Sequence, residues 1–184
     1  MSRCESSPLV TLSENKMINK QYFGFKFTKI AFAAITDAKT NITYKKRLLQ
    51  DWDVVVNFLY PDCEKASQST YLIFVNDILK YVGEYSGTFQ KRWLLRRNGL
   101  WYLAHSENDF RIQDLLKSGN PPEISIWLCK DPTLFAPDGE SWNISIPLER
   151  RIIIEHQPEW NRRGKTKPTA GLPPHKIIGS TDVL

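Results

Sequence analysis

Two tyrosines near the middle of the chain have a spacing that could support chemistry. Tyr71 and Tyr81 lie in two β-rich apolar runs, residues 70–75 and 78–82, joined by the turn-forming pair Asn76-Asp77. Across an antiparallel hairpin of this length, two such phenols on adjacent strands can lie near each other. Two ordinary sheet tyrosines are the alternative, and hairpin geometry alone favours it.

A helix predicted after Gly83 carries two arginines beside its apolar face. Residues at spacings of i, i+3, i+4 and i+7 share one helical face, and here they are Phe89, Arg92, Trp93 and Arg96. A fixed guanidinium binds phosphate oxygens bidentately, so both arginines suit a phosphate clamp. Packing of the aliphatic stems with the charged heads in water is an equal alternative.

A glutamate lies on the apolar face of the last predicted helix. The residues that share this face are Glu149, Ile152, Ile153 and His156. A buried lone carboxylate is costly unless it is paired or binds a metal, and Mg²⁺ often takes only one or two protein carboxylates. A first-turn glutamate that reaches solvent is the alternative, which position alone slightly favours.

The elements that would position these residues form a small α+β core. After the hairpin, the pattern predicts helices over residues 89–97, 108–117 and 147–157, a strand over 123–129 and a loop over 130–145. Upstream, it predicts a short helix over residues 9–20, a strand over 22–27 and a helix over 43–59. That last helix rests on the helical spacing of Leu48, Leu49, Trp52, Val55, Val56 and Leu59.

The organisation predicted from this pattern has three parts. They are an N-terminal extension over residues 1–67, expected to contact DNA or to dimerise, a core over 68–162 and a basic, Pro/Gly-rich tail over 163–184. With 184 residues, the chain can bury a core without disulfides.

Charge and cysteine content restrict the class of protein. The net charge of +5 permits a polyanionic partner without establishing one. Three widely spaced cysteines predict reduced thiols, and neither a signal pattern nor a membrane-spanning apolar run is visible. We therefore expect a cytoplasmic protein.

Taken together, these motifs resemble the GIY-YIG nuclease family over about half of the chain. The run of residues 71–83 resembles the two-strand signature, and residues 89–93 resemble the first-helix motif with its essential arginine. Leu148-Glu149 and the later Pro158-Glu159-Trp160-Asn161 resemble the glutamate helix and the terminal motif. The sequence departs from the family where Ser69-Thr70 replaces Gly-Ile.

The resemblance implies an α+β fold, with a core of a three-stranded antiparallel sheet flanked by helices. It also implies a Mg²⁺-dependent hydrolysis of phosphodiester bonds by water, in which Mn²⁺ can substitute. Glu149 would hold the metal, and Arg92 would neutralise charge on the phosphate. Tyr71 would accept the proton of the attacking water and Tyr81 would orient water or phosphate, although the choice of base between them stays open.

Two further catalytic positions and a set of DNA contacts follow from the same resemblance. Asn161 would hold the site by hydrogen bonds, and His105 lies where some relatives carry a residue near the scissile phosphate; a surface histidine is the equal alternative. The predicted DNA-binding residues are Lys91, Arg96, Arg97, Arg162, Arg163 and Lys165.

The length and layout are most similar to the type II restriction endonucleases of the family. We therefore expect a protein that binds double-stranded DNA, acts as a homodimer or homo-oligomer and has no membrane partner. A phage-type or homing-type DNA endonuclease is one alternative. A non-catalytic nucleic-acid-binding module, which would not need Glu149, and an RNase or nuclease toxin are the others.

Overall fold

The computed structural model describes residues 18–104 and 106–162. The strands are β1 (Asn19–Tyr22), β2 (Phe25–Tyr44), β3 (Arg47–Phe58), β4 (Ser67–Val75), β5 (Ile78–Thr88), β6 (Leu94–Arg97), β7 (Leu100–Leu103), β8 (Ile124–Cys129), β9 (Thr133–Phe135) and β10 (Ser141–Asn143). The helices are α1 (Phe89–Trp93), α2 (Glu107–Leu116) and α3 (Ser145–His156), and a short 3₁₀ turn spans Cys63–Lys65.

One large antiparallel sheet dominates the described residues. Its strand order is β5-β4-β8-β2-β3-β7-β6, with β1 paired to β2, while β9 and β10 form a separate hairpin. The sheet curls into a half-barrel, and strands hold about half of the described residues. The predicted fold class, a small three-stranded core flanked by helices, is therefore wrong. The three predicted strands are present as β5, β4 and β8, but β8 also pairs with β2, which extends the sheet.

The largest local difference lies over residues 43–59, predicted as a helix, which instead contain the end of β2, a turn and strand β3. Residues 52–56 are buried in succession, and this pattern suits a strand covered on both faces as well as a helix. The β-branched run Val54-Val55-Val56 favours the extended backbone. A two-residue turn at Lys45-Lys46, with φ values of 46° and 66°, joins β2 to β3.

Helix α1 is shorter than predicted. It ends at Trp93, Leu94 has extended backbone angles, and residues 94–97 form β6 of a hairpin with β7. The turn of that hairpin is Asn98-Gly99, with φ values of 48° and 79°. Arg96 therefore shares no helical face with Arg92, and its guanidinium lies 5.1 Å from the ring centroid of Trp101.

The other elements agree with the sequence pattern more closely. Helices α2 and α3 and strand β8 lie where they were predicted. Residues 130–145, predicted as a loop, contain β9 and β10, and residues 19–20 of a predicted helix lie in β1. Residues 9–17 of that helix and the predicted tail over 163–184 lie outside the described residues.

Two hydrophobic clusters lie on opposite faces of the sheet. Along β4, Tyr71 and Ile73 belong to the cluster that packs against α1 and α2, while Leu72 and Phe74 belong to the one that packs against α3. The helices thus reach strands β4 and β5 from both sides. None of the helices in the described ranges is both long and apolar enough to cross a membrane.

Candidate active site

The site is built on β5, which forms one edge of the sheet. An edge strand leaves some backbone N–H and C=O groups without a neighbouring strand to bind. On β5, the residues that follow α3 supply the missing hydrogen-bond partners. The Asn161 side-chain amide donates to the Val82 carbonyl oxygen at 2.8 Å, and its oxygen accepts from the Val82 N–H at 2.9 Å. The Trp160 N–H donates to the Lys80 carbonyl at 2.9 Å. These hydrogen bonds of Asn161 and Trp160 fix the terminal segment on β5.

Tyr71 on β4 lies directly opposite Gly83 on β5. A Cβ atom added at Gly83 would lie only 2.5 Å from Cζ and Oη of Tyr71. The absence of a side chain at this position is what allows the Tyr71 ring to lie over the β5 backbone. Tyr81 pairs with Ile73, two residues along β4, so the two phenols are diagonal neighbours on one face.

A cage of aromatic rings surrounds Tyr71. Its ring centroid lies 5.2 Å from that of Trp93, and 5.7 to 5.9 Å from those of Phe89, Tyr81 and Tyr85. Tyr71 is only 4% exposed as a result. Its position is fixed by packing, which favours a constant relation between its hydroxyl and that of Tyr81.

The two tyrosines differ in environment. Burial raises the pKa of Tyr71 well above its usual value, and the neighbouring Tyr81 raises it further, whereas Arg92 opposes this shift. Burial also raises the pKa of Tyr81, and the Glu149 and Glu84 carboxylates add to this, so that the pKa stays above its usual value although the interaction with Tyr71 and the Arg92 charge lower it. The interaction between the two phenols therefore favours deprotonation of Tyr81 over deprotonation of Tyr71. Tyr81 is only partly buried and lines an open cleft, whereas Tyr71 does not.

Four predicted catalytic residues line this cleft, which has a volume of about 790 Å³. They come from different elements: Tyr81 from β5, Arg92 from α1, Glu149 from α3 and Asn161 from the segment after it. The remaining lining residues are Lys45, Ser106, Glu107, Asn108, Arg111, Arg150, Ile153, Trp160 and Arg162. The structure thus brings together all the predicted catalytic side chains it describes, with Tyr71 directly behind Tyr81.

Arg92 is exposed at the end of α1. Within the described ranges, no hydrogen bond or ion pair engages its guanidinium, although its charge acts on Tyr71, Tyr81 and Glu149. An arginine in this state can bind an anion in the cleft without first breaking another contact.

Glu149 is a partly buried carboxylate whose pKa is raised to about 7. Burial is the largest cause and the nearby Glu84 carboxylate is the second, while Arg150 and Arg92 lower the value. A divalent cation would relieve both effects. The described residues contain no group of three or more His, Cys, Asp or Glu side chains placed to hold a metal ion. Mg²⁺ needs only one or two carboxylates when water completes its shell, so Glu149 could hold it in the cleft, whereas Glu84 lines the neighbouring cavity with Lys91 and Arg92.

Sequence reasoning missed two acidic residues of this region. Glu84 directly follows Gly83, but nothing in the strand pattern distinguishes it from a solvent-facing residue. Asp109 is buried and accepts hydrogen bonds from Trp93 Nε1 at 2.7 Å and from the Ser106 N–H at 2.8 Å. The Ser-x-x-Asp capping pattern at residues 106–109 was the available signal for Asp109.

The predicted DNA-binding residues are dispersed. Arg162 lines the cleft, whereas Lys91 lies beside Arg92 in a smaller neighbouring cavity of about 240 Å³. Arg96 and Arg97 are exposed on β6 and line neither cavity, because the helix that would have aligned them with Arg92 ends at Trp93. His105, Arg163 and Lys165 lie outside the described residues.

Comparison of the chain with family models, with curated proteins and with solved structures gives no match.

Proposed function

We propose that this protein is a Mg²⁺-dependent endonuclease that hydrolyses phosphodiester bonds in double-stranded DNA. The observation that carries the proposal is the shared cleft of Tyr81, Arg92 and Glu149, with Tyr71 behind Tyr81. The motifs that resemble the GIY-YIG nucleases contain these side chains, in the order in which the motifs follow one another. As in the sequence prediction, a type II restriction enzyme is the preferred kind, with phage-type and homing-type endonucleases as alternatives.

Glu149 is the carboxylate that would hold the metal. Bound Mg²⁺ supplies polarisation of a non-bridging phosphate oxygen and stabilises the leaving oxygen. Ionised Glu149 is required for that role. Because its pKa is about 7 without metal, binding of the cation must displace a proton from a substantial fraction of the molecules near neutral pH.

Arg92 neutralises the negative charge that grows on the phosphoryl oxygens as water attacks. Its position at the end of a short helix, next to the fixed Trp93, restricts where the guanidinium can reach. A lysine at this position would keep the charge but lose the planar pair of donors.

We assign the proton-accepting role to Tyr81 instead of Tyr71, because Tyr81 reaches the cleft and Tyr71 is buried. A phenol with a pKa of about 10 is a weak base at neutral pH. In the free protein, burial and the Glu149 and Glu84 carboxylates keep the pKa of Tyr81 above its usual value, whereas the interaction with Tyr71 and the charge of Arg92 favour its phenolate. A cation held by Glu149 would favour the phenolate further. With Tyr81 as the phenolate, the water proton would pass to Tyr81 Oη while the water oxygen bonds to phosphorus, the bond to the 3′-oxygen breaks, and the departing 3′-oxygen takes a proton from solvent.

The test is incubation of plasmid and phage DNA with the protein in Mg²⁺ and, separately, in EDTA. Discrete Mg²⁺-dependent bands indicate a restriction enzyme, and a smear indicates low specificity. A gel shift without cleavage in either buffer refutes the proposal and favours the non-catalytic binding module. Cleavage of RNA alone refutes the DNA substrate and favours an RNase.

A pair of variants on α3 separates the metal site from general charge effects. Glu149→Gln is expected to abolish cleavage while much of the DNA binding remains. Glu155→Gln changes net charge equally at an exposed position outside the cleft and is expected to cleave normally. Equal activity of the two variants contradicts the assignment of Glu149.

Cleavage of both strands suits a two-fold symmetric dimer. We accordingly propose a homodimer on DNA and a cytoplasmic location. Sedimentation of the protein with and without a short duplex tests the first, and a protein that stays monomeric on DNA contradicts it. Fractionation of the cells that produce the protein tests the second.

A further inference from the structure

Three residues on the wall of the cleft form an ion-pair cluster, which we name the Glu107 clasp. Lys45 Nζ lies 2.6 Å from Glu107 Oε1, and Arg162 Nη1 lies 2.9 Å from Glu107 Oε2. Lys45 belongs to the β2–β3 turn, Glu107 begins α2, and Arg162 follows α3. One carboxylate thus holds two cations from distant parts of the chain beside the catalytic side chains.

The clasp is open to solvent. The side chains of Lys45, Glu107 and Arg162 are 65%, 44% and 71% exposed. Exposed ion pairs contribute little to stability and are screened by salt. A competing anion can therefore replace the carboxylate without exposing any of the core.

The lining of the cleft carries more positive than negative charge. Its cations are Lys45, Arg92, Arg111, Arg150 and Arg162, whereas its carboxylates are Glu107 and Glu149. A cleft with such an excess attracts a polyanion. The clasp extends this positive surface from Arg92 towards the β2–β3 turn. A nucleic-acid strand, which carries several phosphates, could therefore bind at more than one point of the cleft.

The β2–β3 turn presents its two lysines differently. Both have left-handed backbone angles in a two-residue turn, a geometry that fixes the directions of successive side chains. Lys45 lines the cleft, whereas the exposed Lys46 does not. Adjacent residues of the same type therefore serve as a test position and its matched control.

We propose that Glu107 occupies the place of a DNA phosphate in the free protein, and that backbone phosphates of duplex DNA displace it to bind Lys45 and Arg162. The inference rests on the proposed function for its ligand, duplex DNA. It adds the β2–β3 turn, in the part of the chain before the nuclease-like motifs, to the DNA-binding surface.

The first experiment measures the binding of a short fluorescent duplex by anisotropy in EDTA, so that cleavage does not interfere. Glu107→Gln is expected to tighten binding by roughly fivefold, because phosphates no longer have to break the two exposed ion pairs of Glu107 before they bind Lys45 and Arg162. Glu123→Gln has the same change in net charge, but Glu123 pairs with Lys29 outside this cleft. Equal affinities of these two variants overturn the proposal.

The second experiment compares Lys45→Ala with Lys46→Ala over a series of salt concentrations. Lys45→Ala is expected to weaken binding and to reduce the slope of log K against log salt by about 0.9, the loss of one phosphate contact. Lys46→Ala is expected to change the slope much less. In the double variant Lys45→Ala/Glu107→Gln, the gain from Glu107→Gln should shrink. Equal slopes for the two lysine variants overturn the proposal.

The outcomes separate this inference from the proposed function. A wild-type protein that cleaves DNA with Mg²⁺, with no difference within either matched pair, refutes the clasp alone. Differences within both pairs without any cleavage support the clasp and refute the nuclease. A wild-type protein that neither binds nor cleaves duplex DNA refutes both.

Discussion

Replacement of Gly83 by alanine tests the packing on which the site is built. The new Cβ would lie 2.5 Å from Cζ and Oη of Tyr71 and 2.6 Å from Cε1. Because non-bonded carbon atoms pack at about 3.5–4.0 Å, the Tyr71 ring would have to move by about 1 Å. The surrounding rings of Tyr81, Phe89 and Trp93 leave it little room. Overpacking of this kind costs about 1–3 kcal/mol, and we expect the free energy of unfolding to fall by about 2 kcal/mol.

Urea denaturation measures this change, with Gly87→Ala as the control. Gly87 lies on the same strand, and a Cβ there meets no atom within 4 Å, so we expect a change below about 0.5 kcal/mol. Truncation of Tyr71 to alanine removes the three overlapping atoms. Gly83→Ala should therefore cost less in that background, with a coupling of about 1 kcal/mol or more. Equal stabilities of the two glycine variants, or a coupling near zero, would refute the reasoning.

Three other predictions concern the cleft. Tyr81→Phe should lower single-turnover cleavage by about 100-fold or more, in the range of general-base effects, and Tyr71→Phe should lower it less; the reverse order would contradict the assignment of Tyr81. Because the pKa of Glu149 is raised from 4.5 to about 7 in the folded state, the folded protein binds this proton more tightly than the unfolded chain. Stability in EDTA should therefore fall as pH rises through that window, and urea denaturation should show a flatter profile for Glu149→Gln; matching profiles would exclude the shift. Asn161→Ala leaves two backbone groups of Val82 unpaired and should cost about 2 kcal/mol in the same assay, whereas an unchanged stability would argue against the bond pair.

The elements that the sequence predicted well are those with strong local signals. The β4–β5 hairpin turns at Asn76-Asp77, whose φ values are 46° and 63°. Helix α2 begins with a capping box, and α3 carries Pro147 in its first turn. These signals depend only on residues close together in the sequence, so they can be recognised before the fold is known.

The extent of the sheet could not be predicted from local sequence patterns. Strand β8 pairs with β4 on one side and with β2 on the other, and the second pairing joins Phe32 to Ser125. No local pattern specifies a partner so distant in sequence. Along β3, burial on both faces removes the alternation that distinguishes a strand from a helix. The predicted fold class failed for these two reasons.

The candidate site likewise has features that the sequence motifs predicted and features that depend on long-range packing. Motif spacing identified Tyr81, Arg92 and Glu149, which line one cleft. It could not show that Tyr71 is buried, because that depends on the aromatic cage. It also missed Lys45, which lies in the turn between β2 and β3, within the segment of residues 43–59 that was predicted as a helix.

The most direct test of the central claim, that Arg92 and Glu149 act on one phosphate, is a double-variant cycle of single-turnover DNA cleavage in Mg²⁺. We predict that Arg92→Ala and Glu149→Gln each abolish most of the activity, and that the double variant is no slower than the slower single variant, because groups that act as a unit are not additive. A wild-type rate in either single variant, or losses that multiply in the double variant, would contradict the account.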